Sequence, residues 1–360
     1  MKRMLRVALV TSGGDCQGLN AAIRGVGKTL YEKLDNVEIY GMYDGYRGLI
    51  ECDYKFMEPR DFSGILTTGG TILGTSRQRY IPGKDIVDEE GNSLLPDMLH
   101  TYNRLNLDCI VIMGGNGTQK SAKLISDAGM NVITLPKTID NDIYGTDFTF
   151  GFHTAIDIAT DAIDRIHTTA ASHGRVMCIE IMGNKAGWLT LYSGLAGGAD
   201  VILIPEIPYK IEKVAEIVEA RAKNNKGFTI IAVAEGAMTK DESKMKKKER
   251  ESMRAGGYSA AGYVAAQLSE MLGVEARSVV PGHIQRGGTP SAYDRVLSSQ
   301  FGVHAAELIR DQIYGVSVAL KGNNIVHNPL KDIAGIPKLV PEDHQMVTIA
   351  KHMGISFGIG

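Results

Sequence analysis

The sequence is poor in cysteine: among its 360 residues there are only Cys16, Cys52, Cys109 and Cys178. None of them belongs to a Cys-x-x-Cys pair, which argues against a zinc site. Cys109 and Cys178 stand inside apolar runs and are expected to be buried small hydrophobes.

Long apolar runs are also missing, because no stretch approaches the ~20 apolar residues of a membrane span. The apolar segment near the N-terminus, Leu5–Val10, is too short for the core of a secretory signal and leads directly into Gly13 and Gly14. We therefore expect a cytoplasmic protein without a membrane partner.

Neither sign of charge dominates, since the formal net charge is -2 and the sequence pI is about 6.5. Without a broad basic field, nucleic acid is not an expected partner. The lysine-rich stretch Thr239–Arg254 is expected to be an exposed loop or helix. Hydrophobic residues make up 44% of the chain, so it can bury a large core.

Short apolar runs alternate with longer amphipathic segments along the chain. The runs that predict strands are Leu5–Val10, Val37–Met42, Asp108–Met113, Asn131–Leu135, Arg175–Ile181, Val201–Ile204, Phe228–Ala234 and Ser278–Val280. Two helices with one apolar face are predicted between them, one bearing Leu19, Ile23, Val26 and Leu30, the other Ile156, Ala159, Ile163 and Ile166. The alternation predicts an α/β fold of two Rossmann-like lobes with mostly parallel sheets and a site in the cleft between them.

The predicted lobe boundaries follow from this pattern. Residues 1–150, rejoined by about 287–325, are expected to form one lobe, and 151–286 the other. Residues from about 326 to 360 are expected to be a C-terminal extension.

The most informative stretch is Leu135–Asp142, LPKTIDND, which follows an apolar strand. It places two carboxylates at the carboxyl edge of a sheet, where open α/β sheets bind ligands. One carboxylate could accept a proton from an attacking hydroxyl, and the other could hold a metal ion. The residues alone leave open a simpler interpretation, an Asx-rich turn that caps the next helix.

Glycines and arginines accompany this stretch. Gly13-Gly14 and Gly114-Gly115-Asn116-Gly117 stand at strand-to-helix turns, where backbone N–H groups bind anions. Arginine suits two-point recognition of phosphate, and four candidates stand near such turns: Arg77, Arg175, Arg277 and Arg286. His283 precedes Arg286 in HIQRGG, whereas His173 is expected to be structural.

At this point the motifs resemble those of 6-phosphofructokinases, over roughly Leu5–Leu308. The similar segments are Thr11–Asp15, Asn20–Gly25, Tyr43–Leu49, Gly69–Thr71, Gly114–Thr118, Thr138–Asp142, Ser172–Arg175, Met182–Gly183, Gly282–Gly288 and Tyr293–Arg295. The resemblance implies transfer of a phosphoryl group to O1 of fructose 6-phosphate, a glycolytic reaction. It assigns the donor to the first lobe and the sugar phosphate to the second.

The resemblance also implies residue roles. Asp140 matches the general base, with Arg77 and Thr138 as the other catalytic residues. The implied donor site comprises Gly14, Arg77, Gln78, Gly115, Asn116, Gly117, Thr118 and Lys137. The implied fructose 6-phosphate site comprises Thr138, Ile139, Asp140, Arg175, Met182, Gly183, Asn184, Glu235, Arg277, His283, Ile284, Gln285 and Arg286.

Two further features follow from the resemblance. Mg²⁺ is the implied cofactor, with Asn116 and Asp142 at its site. Arg175 matches an arginine that reaches a neighbouring subunit's sugar phosphate, so a homo-oligomer is expected, namely a tetramer.

Three positions depart from the family pattern. The family usually has aspartate at Asn116, and an amide should bind a hard cation less well than a carboxylate does. Asn184 replaces the usual arginine of an MGR motif, which removes a cationic contact. Lys137 is typical of pyrophosphate users, whereas Gly117 is typical of ATP users because an aspartate there would crowd and repel the α-phosphate. The steric argument favours ATP.

Three alternatives remain. The first is a pyrophosphate-dependent phosphofructokinase. The second is a catalytically weak paralogue that binds sugar phosphate or nucleotide and regulates a partner, motivated by Asn116 and Asn184. A nicotinamide-dependent dehydrogenase is the third, and the missing Gly-x-Gly-x-x-Gly counts against it.

Overall fold

The computed structural model describes residues 3–76, 79–81, 85–224, 227–246, 249–250 and 259–359. Its strands, in chain order, are β1 Leu5–Thr11, β2 Val37–Met42, β3 Tyr54–Phe56, β4 Arg79–Ile81, β5 Asp85–Val87, β6 Cys109–Gly114, β7 Val132–Pro136, β8 Val176–Ile181, β9 Val201–Leu203, β10 Thr229–Ala234, β11 Ala276–Val279, β12 Val316–Lys321 and β13 Asn324–Pro329. Its α-helices are α1 Leu19–Lys33, α2 Tyr46–Glu51, α3 Leu95–Arg104, α4 Asn116–Asp127, α5 Phe152–His173, α6 Trp188–Ala196, α7 Ile211–Lys223, α8 Ala260–Leu272, α9 Ala292–Arg310, α10 Leu330–Ile333 and α11 Gln345–His352.

The chain forms two compact units. Residues 1–139, 143–154 and 286–337 make up the first, and residues 140–142, 155–285 and 338–360 the second. Residues 326–360, expected to be a separate extension, are thus divided between the two. The edge strand β13 and the short helix α10 belong to the first unit, and everything from Lys338 onward belongs to the second.

The first unit contains a seven-stranded sheet in the order β13-β12-β7-β6-β1-β2-β3. Five neighbouring strands, β12 through β2, are parallel, and the two edge strands are antiparallel to their neighbours. The central strands are covered on both faces, and Val7, Val10 and Ile110 are fully buried. This burial explains why their sequences are almost continuously apolar.

The second unit contains a four-stranded parallel sheet in the order β11-β8-β10-β9. Its β9 edge is extended by the C-terminal segment, because Ile202 donates its N–H to the Ser356 carbonyl at 2.9 Å. The two sheets confirm the predicted α/β class with mostly parallel strands. The predicted apolar face of α1 is also confirmed, since Leu19, Ile23, Val26 and Leu30 are all buried.

The lysine-rich stretch Thr239–Arg254 is described only in part. Its described part includes a 3-10 turn, Glu242–Lys244, whereas residues 247–248 and those from 251 onward lie outside the described residues. Glu242 is buried rather than exposed because its carboxylate accepts the Thr239 N–H at 2.7 Å. Across the described part of the chain, no helix is long and apolar enough to cross a membrane.

Candidate active site

Three glycine-bearing loops of the first unit lie side by side because β1, β6 and β7 are adjacent and parallel. The loop after β1 joins β6 through the Ser12 N–H, which donates to the Met113 carbonyl at 2.9 Å. The loop after β7 joins β6 through the Lys137 N–H, which donates to the Gly114 carbonyl at 3.1 Å. The predicted donor residues Gly14, Gly115–Thr118 and Lys137 therefore share one edge of one sheet.

The N-terminus of α4 forms the centre of this edge. Gly115 precedes the helix, and no side chain of the described residues caps its first N–H groups. Uncapped N–H groups at a helix start, together with the helix dipole, favour an anion. A side chain at Gly114 would place its Cβ 2.3 Å from the Thr118 side chain, so the tight turn requires glycine.

Gly117 leaves open space beside this helix start. It is exposed, and a Cβ built on it would meet no described atom within 4 Å.

Lys137 is only 3% exposed, and its ammonium donates a hydrogen bond to the Gly14 carbonyl. The lysine thus ties the end of β7 to the glycine turn after β1. Burial also keeps the nearby thiol inert, since desolvation raises the pKa of Cys16 to about 12.

The segment that precedes Arg77 is held by side-chain hydrogen bonds of the buried Asn20 and the partly exposed Thr75. The Asn20 amide donates to the Thr68 carbonyl at 3.0 Å and accepts the Ile72 N–H at 2.8 Å. The Thr75 hydroxyl donates to the Gly13 carbonyl at 2.7 Å. Arg77 and Gln78, predicted catalytic and donor-site residues, themselves lie outside the described residues.

The Thr138–Asp142 segment follows β7. Thr138 and Ile139 are buried parts of the first unit, and the Thr138 carbonyl accepts the Thr149 hydroxyl at 2.7 Å. Asp140 and Asp142 are partly exposed and belong to the second unit. Between them Asn141 has φ 50°, a left-handed conformation that asparagine tolerates better than most residues. A left-handed residue at this point turns the backbone sharply between the two carboxylates.

A pocket of about 150 Å³ in the second unit brings together four predicted sugar-site residues. It is lined by Met182, Glu235, His283 and Gln285, together with Glu180, Val280 and Gly282. Gln285 is fully buried, accepts the Met182 N–H at 3.1 Å and donates to the Gly282 carbonyl at 3.2 Å. It therefore holds two pocket loops together.

The remaining predicted residues of these loops differ in exposure. Gly183 has φ 136°, and a Cβ there would meet the Ala186 carbonyl oxygen at 2.7 Å. Asn184 is exposed, and Ile284 is 69% exposed. Arg286 belongs to the first unit, where it donates to the Asp15 carbonyl at 3.3 Å.

Arg175 lies at the other end of β8 from this pocket, and Arg277 lies within the neighbouring strand β11. Both guanidinium groups contact Glu275, at 3.0 Å and 2.9 Å respectively. Arg175 precedes β8, whereas Met182 follows it, so the strand separates them by roughly 20–25 Å. The sequence assigned Arg277 to the sugar-phosphate site, and in the structure it lies on β11, which starts two residues earlier than expected, with its guanidinium on the same carboxylate as that of Arg175.

The two predicted magnesium ligands belong to different units, and each offers a side-chain oxygen rather than part of a dedicated metal cage. Among the described residues, no group of three or more histidines, cysteines, aspartates or glutamates could hold a metal. Asn116 and Asp142 are both partly exposed and offer oxygen ligands. Mg²⁺ commonly takes one or two such ligands and completes its shell with phosphate oxygens and water.

A family model described as phosphofructokinase matches residues 6–309. The chain belongs to the phosphofructokinase family. An ATP-dependent 6-phosphofructokinase from Spirochaeta thermophila is 52% identical over 98% of this chain and 97% of its own length. ATP-dependent 6-phosphofructokinase 3 from Bacteroides thetaiotaomicron is 46% identical over 98% of this chain and 100% of its own.

The fold is also that of solved phosphofructokinases. The structure of the Saccharomyces cerevisiae phosphofructokinase superposes with a TM-score of 0.76 at 28% identity. The match covers 91% of this chain and 45% of the yeast chain.

Two of the phosphofructokinase motifs prove to be architectural in this chain. The NAAIRG segment lies on α1, where Gly25 permits close contact with α9, since a Cβ there would lie 2.8 Å from the Ser299 carbonyl oxygen. In the YDR segment, Asp294 is buried and accepts the Thr154 N–H at 2.7 Å.

The pocket residues Glu180, Val280 and Gly282 were not predicted. Glu180 was detectable, because it is a lone carboxylate inside the apolar run of β8.

Proposed function

We propose that this protein is an ATP-dependent 6-phosphofructokinase that phosphorylates fructose 6-phosphate at O1. The observation that carries the choice of donor is the open space at Gly117 beside the uncapped start of α4. The two relatives described above, both named ATP-dependent 6-phosphofructokinases, support the same donor.

The proposed reaction is a direct transfer. Asp140 accepts the proton of the O1 hydroxyl as the oxygen attacks the γ-phosphorus of ATP. The bond from that phosphorus to the β,γ-bridging oxygen breaks, and ADP leaves with the electron pair. Catalysis then consists mainly of positioning and charge stabilisation, which is what backbone N–H groups at a helix start can supply.

The donor phosphates are assigned to the loops of Gly14, Gly115–Thr118 and Lys137, with Arg77 and Gln78 beside them. Asn116 and Asp142 would hold Mg²⁺, which neutralises phosphate charge when it is bound. Lys137 already donates to the Gly14 carbonyl, which supports a role in shaping the glycine turn.

The sugar phosphate is assigned to the pocket of Met182, Glu235 and His283, with Gly183, Asn184, Ile284 and Arg286 on the same loops. Thr138 and Ile139 are assigned to the reacting groups. Gln285 contributes by orienting the pocket loops.

Arg175 and Arg277 are assigned together to the 6-phosphate of a neighbouring subunit's substrate. The distance of Arg175 from its own pocket supports this role, since an arginine side chain cannot span the length of β8. Arg277 is assigned with it because both guanidinium groups contact Glu275. The site is therefore completed by a second copy of the chain, in a homo-oligomer that we propose to be a cytoplasmic tetramer.

Initial rates decide the donor. Fructose 1,6-bisphosphate formation should be measured with ATP and, separately, with pyrophosphate, each with Mg²⁺. We expect turnover with ATP and little with pyrophosphate. Turnover with pyrophosphate alone would establish the pyrophosphate-dependent alternative that Lys137 favours, and turnover with neither would overturn the kinase assignment.

A weakly catalytic, regulatory paralogue is the second candidate because Asn116 stands where the family usually has aspartate. Asn116→Asp tests it directly. The regulatory assignment replaces the kinase assignment if the wild-type protein binds fructose 6-phosphate in calorimetry without measurable turnover while the Asn116→Asp variant shows turnover.

A further inference from the structure

The C-terminal residues Lys338–Val340 lie beyond the segment matched by the family model, yet they contact the aspartate turn. The Lys338 N–H donates to the Asp142 carbonyl at 2.9 Å. The Lys338 carbonyl in turn accepts the indole N–H of Trp188 at 2.9 Å. One short segment therefore connects the turn bearing both carboxylates to the first residue of α6. All of these residues belong to the second unit.

A second anchor holds the same segment two residues later. The Glu206 carboxylate accepts the Val340 N–H at 2.9 Å and the Gly187 N–H at 3.0 and 3.1 Å. Gly187 directly precedes Trp188, so both anchors converge on the start of α6. A side chain at Gly187 would place its Cβ 2.4 Å from Ile204, which explains the glycine at this crowded point.

The indole of Trp188 is fixed on several sides. It is 6% exposed, the Lys338 ammonium lies 5.5 Å from its ring centroid, and the His344 ring meets it edge-on at 4.9 Å. Its N–H therefore has a defined direction toward the Lys338 carbonyl.

We propose that Trp188 and Glu206 are positioning residues for phosphoryl transfer, acting through Lys338 and Val340 on the Asp140–Asp142 turn. The left-handed Asn141 sits inside that turn, and a conformation of this kind persists when its surroundings hold it. Neither residue touches substrate in this proposal. The inference rests on the proposed function, because it takes Asp140 to be the general base.

The prediction is a selective loss of turnover. Trp188→Phe keeps an aromatic ring but removes the N–H donor, and Glu206→Ala removes the acceptor of two backbone N–H groups. Because misplacement of a catalytic group by about 1 Å costs up to ~10²-fold in rate, we expect each variant to lower kcat by about 10-fold. KM for fructose 6-phosphate should change less than about twofold, since the loops of Met182 and His283 are anchored separately by Gln285.

Two further variants separate positioning from general damage. In Glu206→Gln the amide oxygen can still accept both N–H groups, so kcat should recover to within about twofold of wild type. Tyr31→Phe is the matched control, because the Tyr31 hydroxyl likewise donates to a backbone carbonyl, that of Met57 at 2.7 Å, in the other unit. This control should leave kcat unchanged.

Fluorescence gives a readout that is independent of activity, since Trp188 is the single tryptophan. Glu206→Ala should release the segment, expose the indole and shift its emission to longer wavelength. Unchanged emission would show that Glu206 does not hold the Lys338–Val340 segment against Trp188. The positioning role would be overturned if kcat were unchanged in Trp188→Phe and Glu206→Ala. It would also be overturned if thermal melts showed that the loss of kcat is no greater than the loss of folded protein. Absent turnover in the wild-type protein would instead overturn the proposed function. The fluorescence comparison would still test whether Glu206 holds the Lys338–Val340 segment.

Discussion

At the scale of single residues, donor choice is concentrated at Gly117. The residue is exposed at the start of α4, and added side-chain atoms would extend into open space. A side chain there alters the donor's surroundings without disturbing the protein's own packing.

Gly117→Asp should therefore lower kcat/KM for ATP by at least about 10-fold, because a carboxylate beside the α-phosphate repels it. The matched control is Gly227→Asp, which adds the same charge at another exposed glycine whose Cβ would meet no described atom within 4 Å. Initial rates with both donors provide the measurement. An equal loss with ATP and pyrophosphate would contradict the steric argument.

Several site residues were predictable from their own chemistry, and Gln285 shows the limit of that approach. The motif HIQRGG placed Gln285 among sugar ligands, and the structure adds that its buried amide accepts the Met182 N–H and donates to the Gly282 carbonyl. Sequence alone cannot distinguish a polar side chain that faces a ligand from one that fastens two loops. That distinction depends on burial.

At the scale of secondary-structure elements, the contact between α1 and α9 depends on paired glycines. A Cβ at Gly302 would lie 2.5 Å from the Ala22 carbonyl oxygen and 2.8 Å from the Val26 nitrogen. Both are backbone atoms of α1, so relief requires the helices to separate.

Gly302→Ala should accordingly destabilise the protein by about 1–3 kcal/mol, the usual range for overpacking, despite the better helix propensity of alanine. The free energy of unfolding from urea titration measures the effect. Gly227→Ala, where space is open, should change it by less than about 0.5 kcal/mol. Equal values for the two variants would mean that the helix contact tolerates a methyl group.

The start of α5 provides a pH-dependent element. His153 packs against Phe148 at 4.7 Å and Tyr293 at 3.8 Å between ring centroids, and its buried Nδ1 has no hydrogen-bond partner in the described part of the chain. Burial lowers the pKa of His153 to about 4. The folded protein therefore binds this proton more weakly than the unfolded chain does.

Stability from this group is fully present above the unfolded pKa of about 6.5 and is lost as pH falls toward 4. Allowing for partial exposure, we expect the loss to be about 2 kcal/mol. Urea titrations at pH 7.5 and pH 4.5 should show a smaller difference for His153→Phe than for wild type. An unchanged difference would assign the acid sensitivity to other groups.

Strand prediction succeeded for most of the buried strands, with β12 as an exception, and failed for exposed ones. The run Val37–Met42 coincides with β2, since five of its six residues are buried and only Glu38 interrupts the apolar run. By contrast, β11 reads Ala-Arg-Ser-Val and is largely exposed, so its start was missed. The hairpin of β12 and β13 was also missed, because the partly exposed, polar β13 carries few apolar signals.

At the scale of the whole molecule, the position of Arg175 and Arg277 predicts sites shared between subunits. An Asp140→Asn oligomer lacks the proposed general base in every site. An Arg175→Ala oligomer lacks the arginine that each subunit would supply to its neighbour's site, so each variant alone should have little activity. Co-expression of both should restore part of the wild-type kcat, because some sites then pair an intact Asp140 with an intact Arg175. Activity no higher than the sum of the separate variants would place both residues in sites within one chain.

The order in which a ribosome releases this chain differs from the order in which the first sheet is assembled. Five strands of that sheet lie before residue 140, and the other two, β12 and β13, lie after residue 315. Most of the second unit, residues 155–285, is synthesised between these two groups of strands. At synthesis rates of about 5–20 residues per second, β7 waits on the order of 10–40 s for its β12 neighbour. An unpaired strand edge is prone to wrong pairing during such an interval. The nascent polypeptide should therefore depend on chaperones most during the second half of its translation.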